Sequence, residues 1–191
     1  MYIIQFKPEI ETARTTLKPF QPEDIQGLIE LYSDPDIMKF LGGVRTQQQV
    51  EQELKHYIQQ FQQSTLGSLA IFLKTSGEFI GRTGLRYSPL AITLEVFKSN
   101  GDSQKIPLQQ LAQLGYVLDS RWHRQGFATE VSQAVIQWGF KLNKLQKIVA
   151  LIHPDNYGSV RIARDKCHMQ LNCCFVWKDG LPWQLYSLDR S

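Results

Sequence analysis

What this 191-residue chain lacks narrows its possibilities before any motif is read. No apolar run approaches the roughly 18 residues that span a bilayer, so no membrane partner is expected. The opening stretch Met1 to Glu9 has neither the basic start nor the long apolar core of a secretion signal, and a cytoplasmic location is expected. Cysteine is scarce: Cys167, Cys173 and Cys174 are an odd number crowded into one segment, a poor disulfide framework that fits a reducing compartment. These thiols and His168 contain no C-x-x-C pair, so no metal is expected either. Neither sign of charge dominates. The 21 Lys and Arg against 18 Asp and Glu leave +3, far from the concentrated basic face of a nucleic-acid binder, and no nucleic-acid partner is expected.

What is present fits one domain. Hydrophobic residues are 42% and charged residues 20%, enough apolar surface to offset the entropy of ordering a chain of this length. Thr15–Pro19 reads as a strand, and Pro22-Glu23-Asp24 opens a helix whose buried stripe is Ile25, Leu28, Ile29 and Tyr32. After a loop from Ser33 to Arg45, Thr46 is placed to cap a second helix ending near Ser64. Its eight glutamines form a solvated face opposite Val50, Leu54, Tyr57, Ile58 and Phe61. Leu69–Leu73 and Phe79–Leu85 read as a hairpin around Ser76-Gly77. The stretch 87–110 reads as an inserted hairpin or loop, with a strand at Ile92–Phe97 and a turn at Ser99–Asp102. Beyond it come a strand at Leu111–Leu118, a helix at Thr129–Lys141, an apolar strand at Ile148–Ile152, a helix from Asn156 to Cys167 and a closing antiparallel pair, Phe175–Trp177 with Gln184–Leu188. The fold class is α/β: a single mixed, mostly antiparallel sheet with helices on both faces, in one domain over 1–191.

The chemistry concentrates between Asp119 and Glu130, where a strand hands over to a helix through the small residues Gly126 and Ala128. Unpaired N–H groups of a first helical turn, the positive end of the helix dipole and a backbone free of bulk suit a phosphate, with Arg121 and Arg124 able to add charge. The alternative is a tight turn with its arginines in solvent. A dinucleotide-binding turn is disfavoured because its three glycines are missing, and a nucleoside-triphosphate loop because no Gly-Lys-Ser/Thr follows.

The run His123-Arg124-Gln125-Gly126-Phe127-Ala128 resembles the acyl-CoA loop of the GCN5-related N-acetyltransferase superfamily, Gln/Arg-x-x-Gly-x-Gly/Ala, with His123 departing at the first position. Other pieces match in the family's order: Ile80-Gly81 through Gly84-Leu85 is similar to its I-G-x-x-G-L strand, Leu114–Leu118 to its fourth strand, Ala128-Thr129-Glu130 to its helix opening, and Asn156-x-x-Ser159-x-Arg161 to its N-x-x-S-x-R start. Asp179-Gly180 followed by Trp183 resembles the branch of ribosomal-protein N-terminal acetyltransferases. Asp165-Lys166-Cys167-His168-Met169 stands where E-K-x-G-F/M is usual, with His168 in place of glycine and one extra residue after Ser159.

The resemblance implies an acetyl-CoA-dependent N-acetyltransferase acting on a primary amine, a peptide N-terminus or a small molecule, by direct attack in a ternary complex. It implies that the backbone of Tyr116, Val117 and Leu118 pairs with the pantetheine arm and that His123, Arg124, Gln125, Gly126, Phe127, Ala128 and Thr129 hold the pyrophosphate. Asn156 would bind the arm and Ser159 would lie near the sulfur as a possible acid; helix capping is the alternative for both. Where this branch often carries a carboxylate, two residues before Gly115, the chain has Gln113, an amide that can orient a water or the acceptor but cannot accept a proton as a base. Glu95 and His123 are the other candidates, each with a surface role as its alternative. Without a strong base the expected acceptor is a low-pKa amine: at pH 7 an α-amine near 7.8 is about a tenth neutral, a lysine side chain near 10.4 about one molecule in 2,500. The alternative function is a catalytically weak acyl-CoA-binding regulatory or interaction module.

Overall fold

The structure, a computed structural model, describes residues 8–87, 93–97, 103–107, 111–177 and 180–190. Its elements in chain order are β1 (Ile10–Glu11), β2 (Thr15–Pro19), a 3₁₀ turn Pro22–Asp24 leading into α1 (Ile25–Ser33), α2 (Pro35–Met38), α3 (Gln47–Gln63), β3 (Gly67–Leu73), β4 (Phe79–Tyr87), β5 (Thr93–Phe97), β6 (Ser103–Pro107), β7 (Ala112–Leu118), α4 (Phe127–Lys141), β8 (Lys147–Ile152), α5 (Tyr157–Arg161), β9 (Gln170–Val176) and β10 (Pro182–Asp189). Eight strands make one sheet in the order β1-β2-β3-β4-β7-β8-β10-β9, all antiparallel except β7 with β8. The β5–β6 hairpin is a separate two-stranded ribbon lying against β9. The expected turn at Ser99–Asp102 lies outside the described residues, as does Asp179.

Each face of the sheet buries one set of alternate residues, as the two-residue period of a strand requires. On one face Leu69, Leu85, Leu114, Leu118, Ile148 and Ala150 pack with Phe127, Val131, Val135 and Trp138 of α4. On the other, Ala70 and Val117 pack with Leu28 and Tyr32 of α1 and Val50, Leu54 and Tyr57 of α3. Thr46 caps α3 as its spacing predicted: its side chain accepts from the Gln49 N–H while the Gln49 side chain accepts from the Thr46 N–H. The loop expected over Ser33–Arg45 contains α2, started by Asp34, whose Oδ1 accepts from the N–H groups of Asp36 and Ile37.

Three sequence peculiarities have local counterparts in the structure. Gly81 and Gly84 are glycines because a Cβ at either would overlap the backbone of the neighbouring strand, at Val117 and at Gly67 respectively. The extra residue after Ser159 is absorbed as a π turn at Ile162–Lys166, directly after α5. His168, standing where the family pattern has glycine, adopts a left-handed conformation that glycine favours, with φ 54°.

Candidate active site

The site forms where two neighbouring strands part. β7 has seven residues and β8 six, yet only Ala112 with Ile148 and Gln113 with Val149 are paired; from Leu114 onward the strands diverge. Asp119 donates its N–H to the Ile80 carbonyl, so by antiparallel alternation Val117 turns its backbone groups to Arg82 on β4. Tyr116 and Leu118 turn theirs into the opening. His123 Nε2 lies 2.9 Å from the Leu118 carbonyl, which leaves the Leu118 N–H and both backbone groups of Tyr116 along the free edge. The expectation that the Val117 backbone pairs with the pantetheine arm is therefore not met: its backbone faces Arg82, and its side chain is buried under α1 and α3.

Beyond β7 the chain makes a 3₁₀ turn at Ser120–Trp122 and then enters α4. Six consecutive N–H groups, Arg124 to Thr129, have no acceptor among the described residues; the first N–H of this region to find one is Glu130, at the Gly126 carbonyl. Gly126 makes this possible. Its φ of 85° is left-handed, and a Cβ there would meet only Arg14 Nη2, at 3.5 Å. Arg124 is also left-handed at φ 58° and exposed, with no carboxylate partner among the described residues. A fifteen-residue helix adds its dipole behind these donors. Of the two arginines expected to supply charge, Arg121 is instead neutralised by Asp119 at 2.7 Å and Glu78 at 3.0 Å. Gln125 turns its side chain away to donate to the Arg121 carbonyl at 2.8 Å.

Sequence reasoning missed the residue that fixes this loop. Arg14 donates from Nε to Glu130 Oε2 at 2.7 Å, from its backbone N–H to Glu130 Oε1 at 2.8 Å and from Nη1 to the Gln125 carbonyl at 2.9 Å. Its guanidinium lies 3.9 Å from the centre of the Phe127 ring. Burial pushes the Glu130 carboxyl up, but hydrogen bonds from Thr12 and Arg14 outweigh it and hold the group below its ordinary value. Nothing in the sequence signals a pairing across 116 positions.

On the far side of the opening, Asn156 caps α5: its Oδ1 accepts from the Ser159 N–H at 3.2 Å, leaving its Nδ2 donors available. Opposite α5 stands the second missed group, the hydroxyl of Tyr116. It is buried and lacks a hydrogen-bond partner of proper geometry. Loss of water pushes its phenol up to about 12, with nearby Ser159 acting in the opposite direction and Cys167 reinforcing the rise. A buried hydroxyl without a partner is uncommon.

Gln113 and Gly115 lie on the other face, with Arg86 opposite Gln113 and Arg82 opposite Val117. The side chain of Glu95 lies outside the described residues. A hollow of about 820 Å³, lined by Glu9, Lys18, Phe72 and Lys74 among others, is at the β1–β2–β3 side and shares no residue with the opening. Among the described residues no cluster of His, Cys, Asp and Glu could hold a metal, and no helix is long and apolar enough to cross a membrane.

Comparisons with known proteins converge on one family and one fold. The family model described as "Acetyltransferase (GNAT) domain" matches residues 14–170. An uncharacterized N-acetyltransferase p20 of Bacillus licheniformis is 28% identical over 174 residues, 89% of this chain and 83% of that protein. A crystal structure of an acetyltransferase from Agrobacterium tumefaciens superposes with a TM-score of 0.78 at 21% identity, covering 100% of this chain and 99% of that one. The ribosomal L7/L12 alpha-N-protein acetyltransferase RimL, in complex with coenzyme A, superposes with a TM-score of 0.73 at 17% identity over 95% of this chain and 98% of that one.

Proposed function

The chain belongs to the GNAT acetyltransferase family and is an N-acetyltransferase; from that premise we propose that it carries an acetyl group from acetyl-CoA to a low-pKa primary amine, a peptide N-terminus or a small molecule. The whole chain acts as one acetyltransferase unit, with the 87–110 hairpin as an insertion, in the cytoplasm. The observation that carries this reading is the run of six acceptorless N–H groups at the mouth of a splayed strand pair. Together they offer a diphosphate its donors and an extended amide chain a strand edge to pair with.

In this reading the pyrophosphate lies on the N–H groups from Arg124 to Thr129, with Arg124 adding charge. The pantetheine arm runs along Tyr116 and Leu118 toward the apex at Gln113, and Asn156 Nδ2 donates to it. His123 acts indirectly, holding the end of β7 to the loop. The amine nitrogen attacks the thioester carbonyl, the C–N bond forms, and the C–S bond breaks to leave a thiolate. The amine's proton leaves to water that Gln113 orients, and Ser159 supplies a proton or hydrogen bond to the thiolate. Tyr116 keeps its proton against a thiol near 8.5, so its hydroxyl works as a hydrogen-bond donor where negative charge develops.

Release of free CoA thiol from acetyl-CoA over a panel of N-terminal peptides, aminosugars and polyamines tests this. Steady release with an α-amine or aminosugar supports it. Because Gln113 replaces a carboxylate, a second reading stands beside it, an acyl-CoA-binding module with little turnover; tight binding without release on any amine would favour that one.

A further inference from the structure

The face of the sheet under α1 and α3 carries two cations, Arg82 and Arg86, that make no direct ion pair among the described residues. Arg82 is largely enclosed: its Nε donates to the Tyr32 hydroxyl, and its guanidinium lies 5.6 Å from the ring centres of both Tyr32 and Tyr57. Tyr32 and Tyr57 share a 2.9 Å hydrogen bond, and the Tyr57 hydroxyl donates on to Glu53 at 2.8 Å. Glu53 is already paired with Arg45 at 3.1 Å. This network therefore contains one carboxylate and two arginines, and Arg86, on the same face four residues along β4, brings a third. Among the described residues neither Arg82 nor Arg86 has a carboxylate within 4 Å.

These charges border the reaction centre. Arg82 faces Val117 and Arg86 faces Gln113 across the β4–β7 pair, and between them the facing residues are Gly84 and Gly115. A Cβ placed on Gly115 would have a single residue within 4 Å, Arg82, whose Nη1 is 3.9 Å away. A bare strip of backbone is thus flanked by two guanidinium groups, next to the free edge at Tyr116. Enclosing a cation without a counter-ion is unfavourable unless an anion completes the arrangement.

Resting on the acetyltransferase reading above, we propose that the acceptor is an anionic amine, a primary amine bearing a carboxylate or phosphate a few bonds away. Its anion pairs with Arg82 and Arg86 while its nitrogen lies over Gly115. A guanidinium matches either anion in a forked geometry. The same positive potential disfavours an ammonium ion and raises the share of neutral amine, which answers the absence of a carboxylate base at Gln113.

The test is thiol release by the full chain, at saturating acetyl-CoA, with matched acceptors: a peptide with N-terminal aspartate and its asparagine twin, an aminosugar phosphate and the unphosphorylated sugar, and a polyamine. The expected result is a kcat/KM at least tenfold higher for one anionic member than for its neutral twin, carried mainly by KM; which pair responds separates carboxylate from phosphate. Arg86→Gln should cut that preference several-fold and Arg82→Gln abolish it, with Arg82→Lys retaining part and acetyl-CoA affinity by calorimetry unchanged in all three. Arg86 is exposed, so Arg86→Gln keeps the test alive if Arg82 variants misfold. Equal or better rates with the neutral twins or the polyamine, or an undiminished preference in folded Arg86→Gln, would overturn the inference alone. Absence of acetyl-CoA binding, or binding without release from any amine, would overturn the parent reading and this one with it.

Discussion

The two faces of the β4–β7 ribbon are built differently although they share one backbone. On the α4 face the side chains are apolar and sealed, and the polar groups left open are backbone N–H groups at a helix start and two hydroxyls, Tyr116 and Ser159. On the α1–α3 face the backbone lies bare at Gly115 and the polar groups are side chains, Arg82, Arg86 and Gln113. In the proposed reading a cofactor shared by many enzymes is served by main-chain geometry, whereas a particular acceptor is served by particular side chains. If this division is real, changes on one face should alter cofactor handling and those on the other should alter acceptor choice.

The largest effect that would sharpen the contrast is Gly126→Trp. The substitution forces an L-residue into a left-handed position, at a cost on the order of 1–2 kcal/mol, and places an indole among the acceptorless N–H groups. Acetyl-CoA binding should vanish in calorimetry while circular dichroism stays native; unchanged affinity would break the comparison at its firmest point. Next comes Ser159→Ala, for which kcat should fall roughly tenfold to a thousandfold with acetyl-CoA affinity nearly unchanged. Full activity would leave Ser159 only its place in the α5 cap.

Tyr116→Phe should lower kcat by about tenfold to a hundredfold. It should leave stability equal or slightly higher, since a buried hydroxyl without a partner is removed. Loss of stability in denaturant melts, with kcat intact, would assign the hydroxyl a structural bond instead. The same group predicts a pH effect. The Tyr116 phenol is pushed up to about 12 in the fold, against about 10 in the unfolded chain, so its neutral form is favoured by folding. Its contribution is complete below pH 10 and lost as pH rises toward 12, and wild type should lose more stability than Tyr116→Phe over that window. The smallest effect belongs to neither face: His168→Gly, at φ 54°, should raise stability by about 1 kcal/mol in thermal melts, with acceptor choice unchanged.

The same division explains what was legible in the sequence. The strands, the capped glutamine helix and the Gly126 junction were readable because periodicity, caps and small residues at tight turns are local signals. Even the extra residue after Ser159 showed as a departure from pattern before it appeared as a π turn. The two-residue strand β1 and the start of β9 at Gln170, five residues before the expected Phe175, were not readable. Both depend on partners in β2 and β10 rather than on their own composition. Arg14 and Arg82 were invisible for the same reason, since each matters only through residues 116 and 50 positions away. Arg121 shows the converse error: a cation beside a phosphate loop reads as a ligand until Asp119 and Glu78 are seen to neutralise it.

The most direct measurement is a titration of ¹⁵N-labelled protein with acetyl-CoA, followed by amide chemical shifts. Saturable shifts should centre on Arg124 to Thr129 and on Tyr116 and Leu118, with β2 and β3 unmoved. Shifts centred instead on the hollow between Glu9, Lys18 and Lys74, or no saturable shift at all, would contradict the placement of the cofactor at the splayed strands.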